Sequence, residues 1–175
     1  EIPFSRILGK LLEGCSREEL VHGKLAGTIT VESGSLKLLQ GELGLKIRDL
    51  DQVPSPYLNG LMDKFFAYKK HTLAPFIETN RGCPFTCSFC HTGHSSLSKI
   101  SKFSPERIKE EILYIGSRAK TLGISNLHLA DTNFGMYNTD ISTCAELSKS
   151  QTRFGWPTQI QATTGKNSKK KINAF

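Results

Sequence analysis

The stretch PFIETNRGCPFTCSFC, residues 75–90, joins a short apolar segment to a loop that carries three of the five cysteines in the chain. Residues 75–79 are predicted to form a strand, because apolar, aromatic and β-branched residues are typical of strands. Gly82 and Pro84 flank the first cysteine of the loop, and both residue types favour turns. The stretch therefore predicts a strand that leads directly into a cysteine-rich loop.

The segments that follow alternate between helix and strand patterns. Ser104-Pro105-Glu106 is typical of a helix start, with a capping hydroxyl, Pro at the first helical position and an acid near the positive end of the helix dipole. Gly123 ends this helix, and its apolar stripe consists of Ile108, Ile112 and Ile115. Beyond it the pattern predicts a strand over 124–130, a polar loop over 131–135, a helix over 139–150 and a strand over 159–163.

Strands separated by helices of this length are typical of βαβ units, so the predicted fold class is α/β with a parallel sheet. In such sheets the functional residues gather in the loops after the carboxyl ends of the strands. Two segments rich in cysteine, polar or charged residues, 81–91 and 131–135, both occupy that position. We therefore expect the functional site in these two loops.

The first 70 residues lack the pattern of a self-sufficient core. Residues 7–12 have the helical spacing of Ile and Leu, and residues 25–31 form a β-rich run. Residues 49–57 are too rich in Pro for a helix or a central strand, so we expect a linker of fixed course, followed by a short helix over 58–66. The first residue is Glu1 rather than Met, and we expect the chain to be a processed form or a fragment.

The composition is that of an ordinary folded domain, with 38% hydrophobic and 22% charged residues. No apolar stretch is long enough for a membrane span, and no basic-then-apolar leader opens the chain. The net charge of +7 falls entirely within residues 81–175, and four of the positive side chains there are Lys166, Lys169, Lys170 and Lys171. Because a lysine run is more often a solvated end than a phosphate-binding site, we expect no nucleic-acid partner.

Three of the five cysteines, Cys83, Cys87 and Cys90, are clustered with the spacing C-x3-C-x2-C. An odd number of cysteines without an export signal argues against a disulfide framework, so the cluster indicates metal binding or catalysis. Three thiolates can bind three irons of a four-iron cluster and leave the fourth iron open to a substrate or cofactor. The alternative is a structural zinc site completed by His91 or His94, in a module whose lysine run contacts nucleic acid.

Residues 78–90 resemble the radical S-adenosylmethionine (SAM) superfamily, whose hallmark is C-x3-C-x-aromatic-C in the loop after the first strand of a partial (βα)6 TIM-like barrel. Phe89 occupies the aromatic position. Residues 51–60, DQVPSPYLNG, are similar to the segment that joins a cobalamin-binding domain to the radical SAM domain in one branch of the superfamily. The resemblance covers about residues 45–170. It implies that 1–70 is the end of an upstream cobalamin-binding-type domain plus linker, and that 71–175 is the truncated N-terminal half of the barrel.

The same resemblance implies an enzyme in which Cys83, Cys87 and Cys90 hold a [4Fe-4S] cluster and the open iron binds SAM. Reductive cleavage of SAM would give a 5′-deoxyadenosyl radical for hydrogen abstraction or methyl transfer on an unknown substrate. The electron would come from an external donor such as flavodoxin or ferredoxin, in the cytoplasm. The catalytic residues are unknown, and the fragment by itself need not be active.

The resemblance also points to further cofactor-binding residues. Phe89 would pack near the adenine of SAM. The family often has a Gly-Gly-Glu-like segment after the second strand that binds the SAM amino group, and here the position is occupied by Asp131, Thr132 and Asn133. Asp131 or Asn133 can accept a hydrogen bond from an ammonium group. The cobalamin-binding signature Asp-x-His-x-x-Gly is absent from the chain, so cobalamin would be bound only by residues upstream of it.

Overall fold

A computed structural model describes residues 1–44, 46–68, 73–93 and 99–164. The chain divides into two compact units, Glu1–Arg48 and Asp49–Phe175. His94 and the lysine run at 166–171 lie outside the described residues. Within the described ranges, no helix combines the length and apolar character needed to cross a membrane.

The N-terminal unit consists of two helices and a two-stranded antiparallel ribbon. Helix α1 spans Ile2–Leu12, helix α2 spans Arg17–His22, and strands β1 (Ile29–Val31) and β2 (Leu38–Gln40) pair with each other. The sequence pattern predicted α1 and β1, but it missed α2 and β2. Helix α2 begins with a capping box, in which Ser16 and Glu19 satisfy each other's backbone N–H groups.

The second unit starts with the predicted linker. A short 3-10 helix spans Leu50–Gln52, and helix α3 is restricted to Asp63–Phe66. The prediction of a helix over all of 58–66 is therefore wrong for its first half. Two features of the backbone prevent a helix there. Gly60 adopts a left-handed conformation with φ 77°. The Ser55 hydroxyl accepts hydrogen bonds from the N–H groups of Tyr57 and Leu58. These contacts produce turns instead of a helix.

The remaining elements of the second unit form a parallel sheet covered by helices, which confirms the predicted α/β class. Strands β3 (Phe76–Ile77), β6 (Asn126–Phe134) and β7 (Gln159–Thr164) pair in parallel in the order β3-β6-β7. Between β3 and β6 lie strands β4 (Asn80–Arg81) and β5 (Ser101–Lys102), which form an unpredicted antiparallel ribbon, and helix α4 (Pro105–Leu122). Helix α5 spans Asn138–Phe154.

Helix α4 forms as its sequence predicts. The Ser104 hydroxyl accepts a hydrogen bond from the Arg107 N–H, and Gly123 ends the helix in the left-handed conformation. The predicted isoleucine stripe is buried between this helix and the sheet. The largest fully buried apolar side chains are Leu50, Ile77, Ile112, Ile115, Leu127, Leu129 and Trp156.

Strand β6 continues four residues further than predicted, so the prediction of a polar loop beginning at Asp131 is wrong. Phe134 still pairs with Thr164 of β7 after an irregularity in the register. The polar side chains at 131–133 tolerate the strand conformation because each finds a hydrogen-bond partner on the segment that follows β3. Strand periodicity alone does not reveal such partners.

The linker contacts α4 through a buried polar network. The Ser55 hydroxyl donates to Glu111 Oε1 over 2.6 Å, and Arg107 Nε donates to the same oxygen over 2.7 Å. Arg107 also donates to the carbonyl of Val53 over 3.1 Å. Because Glu111 is buried, these partners offset the cost of removing its charge from water.

Tyr57 closes the free edge of the first strand of the sheet. Its hydroxyl donates to the carbonyl of Phe76 over 2.7 Å and accepts from the Phe76 N–H over 3.0 Å. A side-chain hydroxyl thus pairs with both backbone groups that a further strand would otherwise bind. The linker therefore protects the edge of β3, the strand that leads into the cysteine loop.

We expect Tyr57→Phe to expose this edge. Loss of the hydroxyl leaves the Phe76 N–H and carbonyl without their partner, which costs about 1–2 kcal/mol. Hydrogen exchange of the Phe76 amide should accelerate, and the unfolding midpoint followed by the fluorescence of Trp156, the only tryptophan, should fall. Tyr68→Phe, at a half-exposed tyrosine, is the matched control. Unchanged exchange at Phe76 in Tyr57→Phe would contradict the prediction.

Candidate cofactor-binding site

The end of β6 lies beside the segment that leads from β3 into the cysteine loop. The register pairs Phe76 with His128 and Ile77 with Leu129. Two residues further along, the same parallel register brings Asp131 next to Thr79. The two segments that the sequence predicted as functional are therefore adjacent in space, although the second belongs to the end of β6 rather than to a loop.

Asp131 is 2% exposed, and its carboxylate binds the chain just after β3. The Thr79 N–H donates to Oδ1 over 2.8 Å, and the Asn80 N–H donates to the same oxygen over 3.2 Å. The Thr79 hydroxyl donates to Oδ2. Burial raises the pKa of the Asp131 carboxyl, the nearby negative charge of Asp140 acts in the same direction, and the hydrogen bonds from Thr79 and Asn80 oppose the rise.

The next two residues of β6 continue these contacts into the cysteine loop. The Thr132 hydroxyl donates to the carbonyl of Gly82 over 3.0 Å. The Asn133 amide Nδ2 donates to Cys83 Sγ over 3.2 Å and lies at the same distance from Thr132 Oγ1. Three successive residues thus bind the segment 79–83, and we refer to these contacts as the strand-end network.

The structure distributes the three clustered cysteines between the interior and the surface. Cys83 is buried at the start of the loop, whereas Cys87 and Cys90 are exposed, and all are free thiols. The Cys90 N–H donates to the Cys87 carbonyl over 3.0 Å, which closes a turn, and Cys90 Sγ lies 2.9 Å from Thr92 Oγ1. Within the described ranges, no group of three or more His, Cys, Asp or Glu side chains converges tightly enough to hold a metal ion.

The chemistry of the donors nevertheless fits an iron–sulfur cluster. The three thiols share one loop without regular secondary structure between 82 and 90, and the Cys83 sulfur already accepts a hydrogen bond from Asn133, as a thiolate ligand would. Phe89 is 91% exposed in the same loop. His91 is exposed and begins a short 3-10 turn, His91–Gly93.

Positive side chains flank the cysteine loop on the β4–β5 ribbon. Arg81 forms an ion pair with Glu78, with 2.7 Å between Nε and Oε2. Lys102 Nζ lies 4.0 Å from the ring centroid of Tyr137 and 3.3 Å from the Thr139 hydroxyl. Arg81 is therefore partly neutralised by Glu78, and Lys102 is a second cation on the same ribbon.

Tyr137 is another residue of this region that sequence reasoning missed. Its hydroxyl is buried and has no hydrogen-bond partner among the described residues. Burial raises its pKa, and the negative charges of Cys83, Asp140 and Asp131 add to the rise. The sequence signal that could have identified Tyr137 was its position in the loop after the carboxyl end of β6, where functional residues of parallel sheets gather.

We expect Asp131→Ala to destabilise the second unit by about 3 kcal/mol, because it leaves two buried N–H groups and a hydroxyl without their acceptor. Asp131→Asn retains an oxygen for the two N–H groups and should cost only about 1 kcal/mol. Denaturant unfolding followed by Trp156 fluorescence measures both values. Equal stability of Asp131→Ala and the unsubstituted protein would disprove a structural role for this carboxylate.

Two curated relatives match the chain at more than 30% identity. The cobalamin-dependent radical SAM methyltransferase TokK of Streptomyces tokunonensis is 31% identical over an alignment that covers 98% of this chain and 24% of the relative. The 2-(S-pantetheinyl)-carbapenam-3-carboxylate methyltransferase of Streptantibioticus cattleyicolor is 33% identical over 69% of this chain and 18% of that protein. The chain thus spans about a quarter of the relatives' length or less. No protein-family model matches it.

Solved structures of the cobalamin-dependent SAM radical enzyme OxsB share the fold. The apo structure aligns with a TM-score of 0.59 at 19% identity, over 97% of this chain and 23% of that one. The structure with aqua-cobalamin and SAM bound aligns with a TM-score of 0.55 at 24% identity, over 82% of this chain and 20% of that one. The agreement of sequence relatives and fold with the motif at 83–90 shows that the chain belongs to the radical SAM superfamily, in the branch that contains a cobalamin-binding domain.

Proposed function

We propose that the chain is part of a radical SAM methyltransferase that binds a [4Fe-4S] cluster and SAM, with a substrate that the chain does not identify. The observation that carries the proposal is the loop with three free thiols at 83–90, which the strand-end network anchors at the carboxyl edge of a parallel sheet. Both curated relatives described above are methyltransferases by name. Methyl transfer is therefore the preferred outcome over hydrogen abstraction alone.

The proposal extends to the domains. Residues 1–70 correspond to the end of an upstream cobalamin-binding-type domain plus linker, and 71–175 to the first half of a partial TIM-like barrel. The parallel order β3-β6-β7, with helices in the connections, supports this assignment because it repeats the βαβ unit of such barrels. Cobalamin would be bound by residues upstream of this chain.

Cys83, Cys87 and Cys90 would hold the cluster. When bound, a [4Fe-4S] cluster with an open iron supplies the electron that cleaves the sulfonium C–S bond of SAM, and the chemistry belongs to the cofactors. We assign binding and positioning to the chain. The Asp131 carboxylate orders the segment after β3 by accepting hydrogen bonds from the N–H groups of Thr79 and Asn80. The exposed ring of Phe89 offers an apolar face for an adenine.

The location and the electron source are also proposals. An iron–sulfur protein that needs one electron in each reaction requires a reduced partner, and we propose a flavodoxin or ferredoxin in the cytoplasm.

Zinc binding by a structural module is not favoured. The sequence relative and the solved structure that the chain resembles are radical SAM enzymes. His91 is exposed on a turn beyond the third cysteine. The other histidine candidate, His94, and the lysine run proposed to contact nucleic acid lie outside the described residues.

We expect Cys87→Ala to abolish cluster binding, because two thiolates cannot hold three irons. After anaerobic reconstitution, the unsubstituted protein should contain about four irons per chain. Cys87→Ala should lose the brown colour and the cleavage of SAM to methionine. Cys15→Ala, the same substitution in the N-terminal unit, is the control and should retain both. One zinc and no iron in the unsubstituted protein would contradict the proposal.

Alkylation of the cysteines tests the ligand set directly. In the metal-free protein, Cys87 and Cys90 should react first with iodoacetamide because they are exposed, whereas burial raises the pKa of the Cys144 thiol to about 11 and keeps it unreactive. Reconstitution should protect Cys83, Cys87 and Cys90 and leave Cys15 labelled as before. Peptide mass spectrometry measures each site. Persistent labelling of Cys87 in the iron-loaded protein would exclude it as a ligand.

A further inference from the structure

We propose that Asn133 is a positioning residue that donates a hydrogen bond to the sulfur of Cys83 and thereby raises the reduction potential of the cluster. The inference rests on the proposed function, because it concerns the electronic properties of the bound [4Fe-4S] group. It differs from the role that the family resemblance implies for this segment, which is contact with the amino group of SAM. The geometry of the strand-end network is its basis.

The amide of Asn133 uses both of its protons within the protein. Nδ2 lies 3.2 Å from Cys83 Sγ and 3.2 Å from Thr132 Oγ1, so one N–H faces the sulfur and the other faces the hydroxyl. The distance to sulfur is within the range of an N–H···S hydrogen bond.

Its neighbours determine the orientation of the amide. The Thr132 hydroxyl donates its proton to the Gly82 carbonyl over 3.0 Å, so its oxygen can only accept from Asn133. If the amide were reversed, its oxygen would face the Thr132 lone pairs and the Cys83 sulfur, and neither supplies a proton once Cys83 is a thiolate. The chain Asn133 to Thr132 to Gly82 thus directs an N–H at Cys83.

Cys83 is also the ligand most shielded from water. It is buried, whereas Cys87 and Cys90 are exposed and can receive hydrogen bonds from solvent. In a buried environment a single donor has a larger electrostatic effect than at the surface. A donor to a ligand sulfur stabilises the reduced cluster more than the oxidised one, because reduction increases the negative charge on the sulfurs.

The test is a redox titration of the reconstituted protein followed by electron paramagnetic resonance, without SAM. In Asn133→Ala, we expect the ratio of reduced to oxidised cluster at a fixed potential to fall by about tenfold, which corresponds to about 59 mV for one electron. In Asn133→Asp, which keeps the shape but puts a carboxylate beside the sulfur, the midpoint should be more negative still. Asn126→Ala, at the other end of the same strand, is the matched control and should leave the midpoint unchanged.

The outcomes separate this inference from the proposed function. If the unsubstituted protein assembles no four-iron cluster, both fail. If it assembles the cluster but both Asn133 variants titrate with the same midpoint as Asn126→Ala, the inference is overturned and the proposed function stands. Should Asn133→Ala not fold, an unchanged midpoint in the isosteric Asn133→Asp would still overturn the inference.

Omitting SAM excludes the alternative role. A residue that acts only by binding the SAM amino group changes the affinity for SAM but not the potential of the cluster measured without it. A shift of the midpoint in Asn133→Ala in the absence of SAM therefore supports the hydrogen bond to sulfur. A weaker affinity for SAM with an unchanged midpoint would assign Asn133 to the SAM site and refute the inference.

Discussion

The hydrogen bonds from three successive residues of β6 to the segment 79–83 are the interaction on which the candidate site depends. Asp131 binds the backbone after β3, Thr132 binds Gly82, and Asn133 reaches Cys83. A nine-residue loop between 82 and 90 has little regular structure of its own. Its first thiol is nevertheless fixed, because the neighbouring strand supplies its partners.

The linker stabilises strand β3 at the edge that does not pair with β6. Tyr57 binds both backbone groups of Phe76, while Ser55 and Arg107 surround the buried carboxylate of Glu111. Strand β3 is thus held by β6 on one edge and by a tyrosine hydroxyl on the other. A short strand of two residues can lead into a reactive loop only because polar contacts hold it on both sides.

The elements that could be predicted were those specified by local signals. Ser104, Gly123 and the isoleucine stripe of α4 define a helix through its own capping and periodicity, and the structure contains it with those ends. The failed predictions have a different origin. The helix expected over 58–66 is shortened by the turn at Gly60, and the loop expected at 131–135 is strand as far as Phe134, because contacts distant in sequence outweigh local propensity.

The amino-acid sequence by itself indicated the family of the chain, because the cysteine motif at 83–90 and the alternation of strand and helix are properties of consecutive residues that resemble the radical SAM superfamily. Only the tertiary structure decided which groups the surrounding residues contact. Asp131, Thr132 and Asn133 are polar residues after an apolar run, and nothing local distinguishes a ligand-binding role from a structural one. Their partners are about 50 positions away and meet them through the parallel register of two strands, so these contacts form only when the chain has folded.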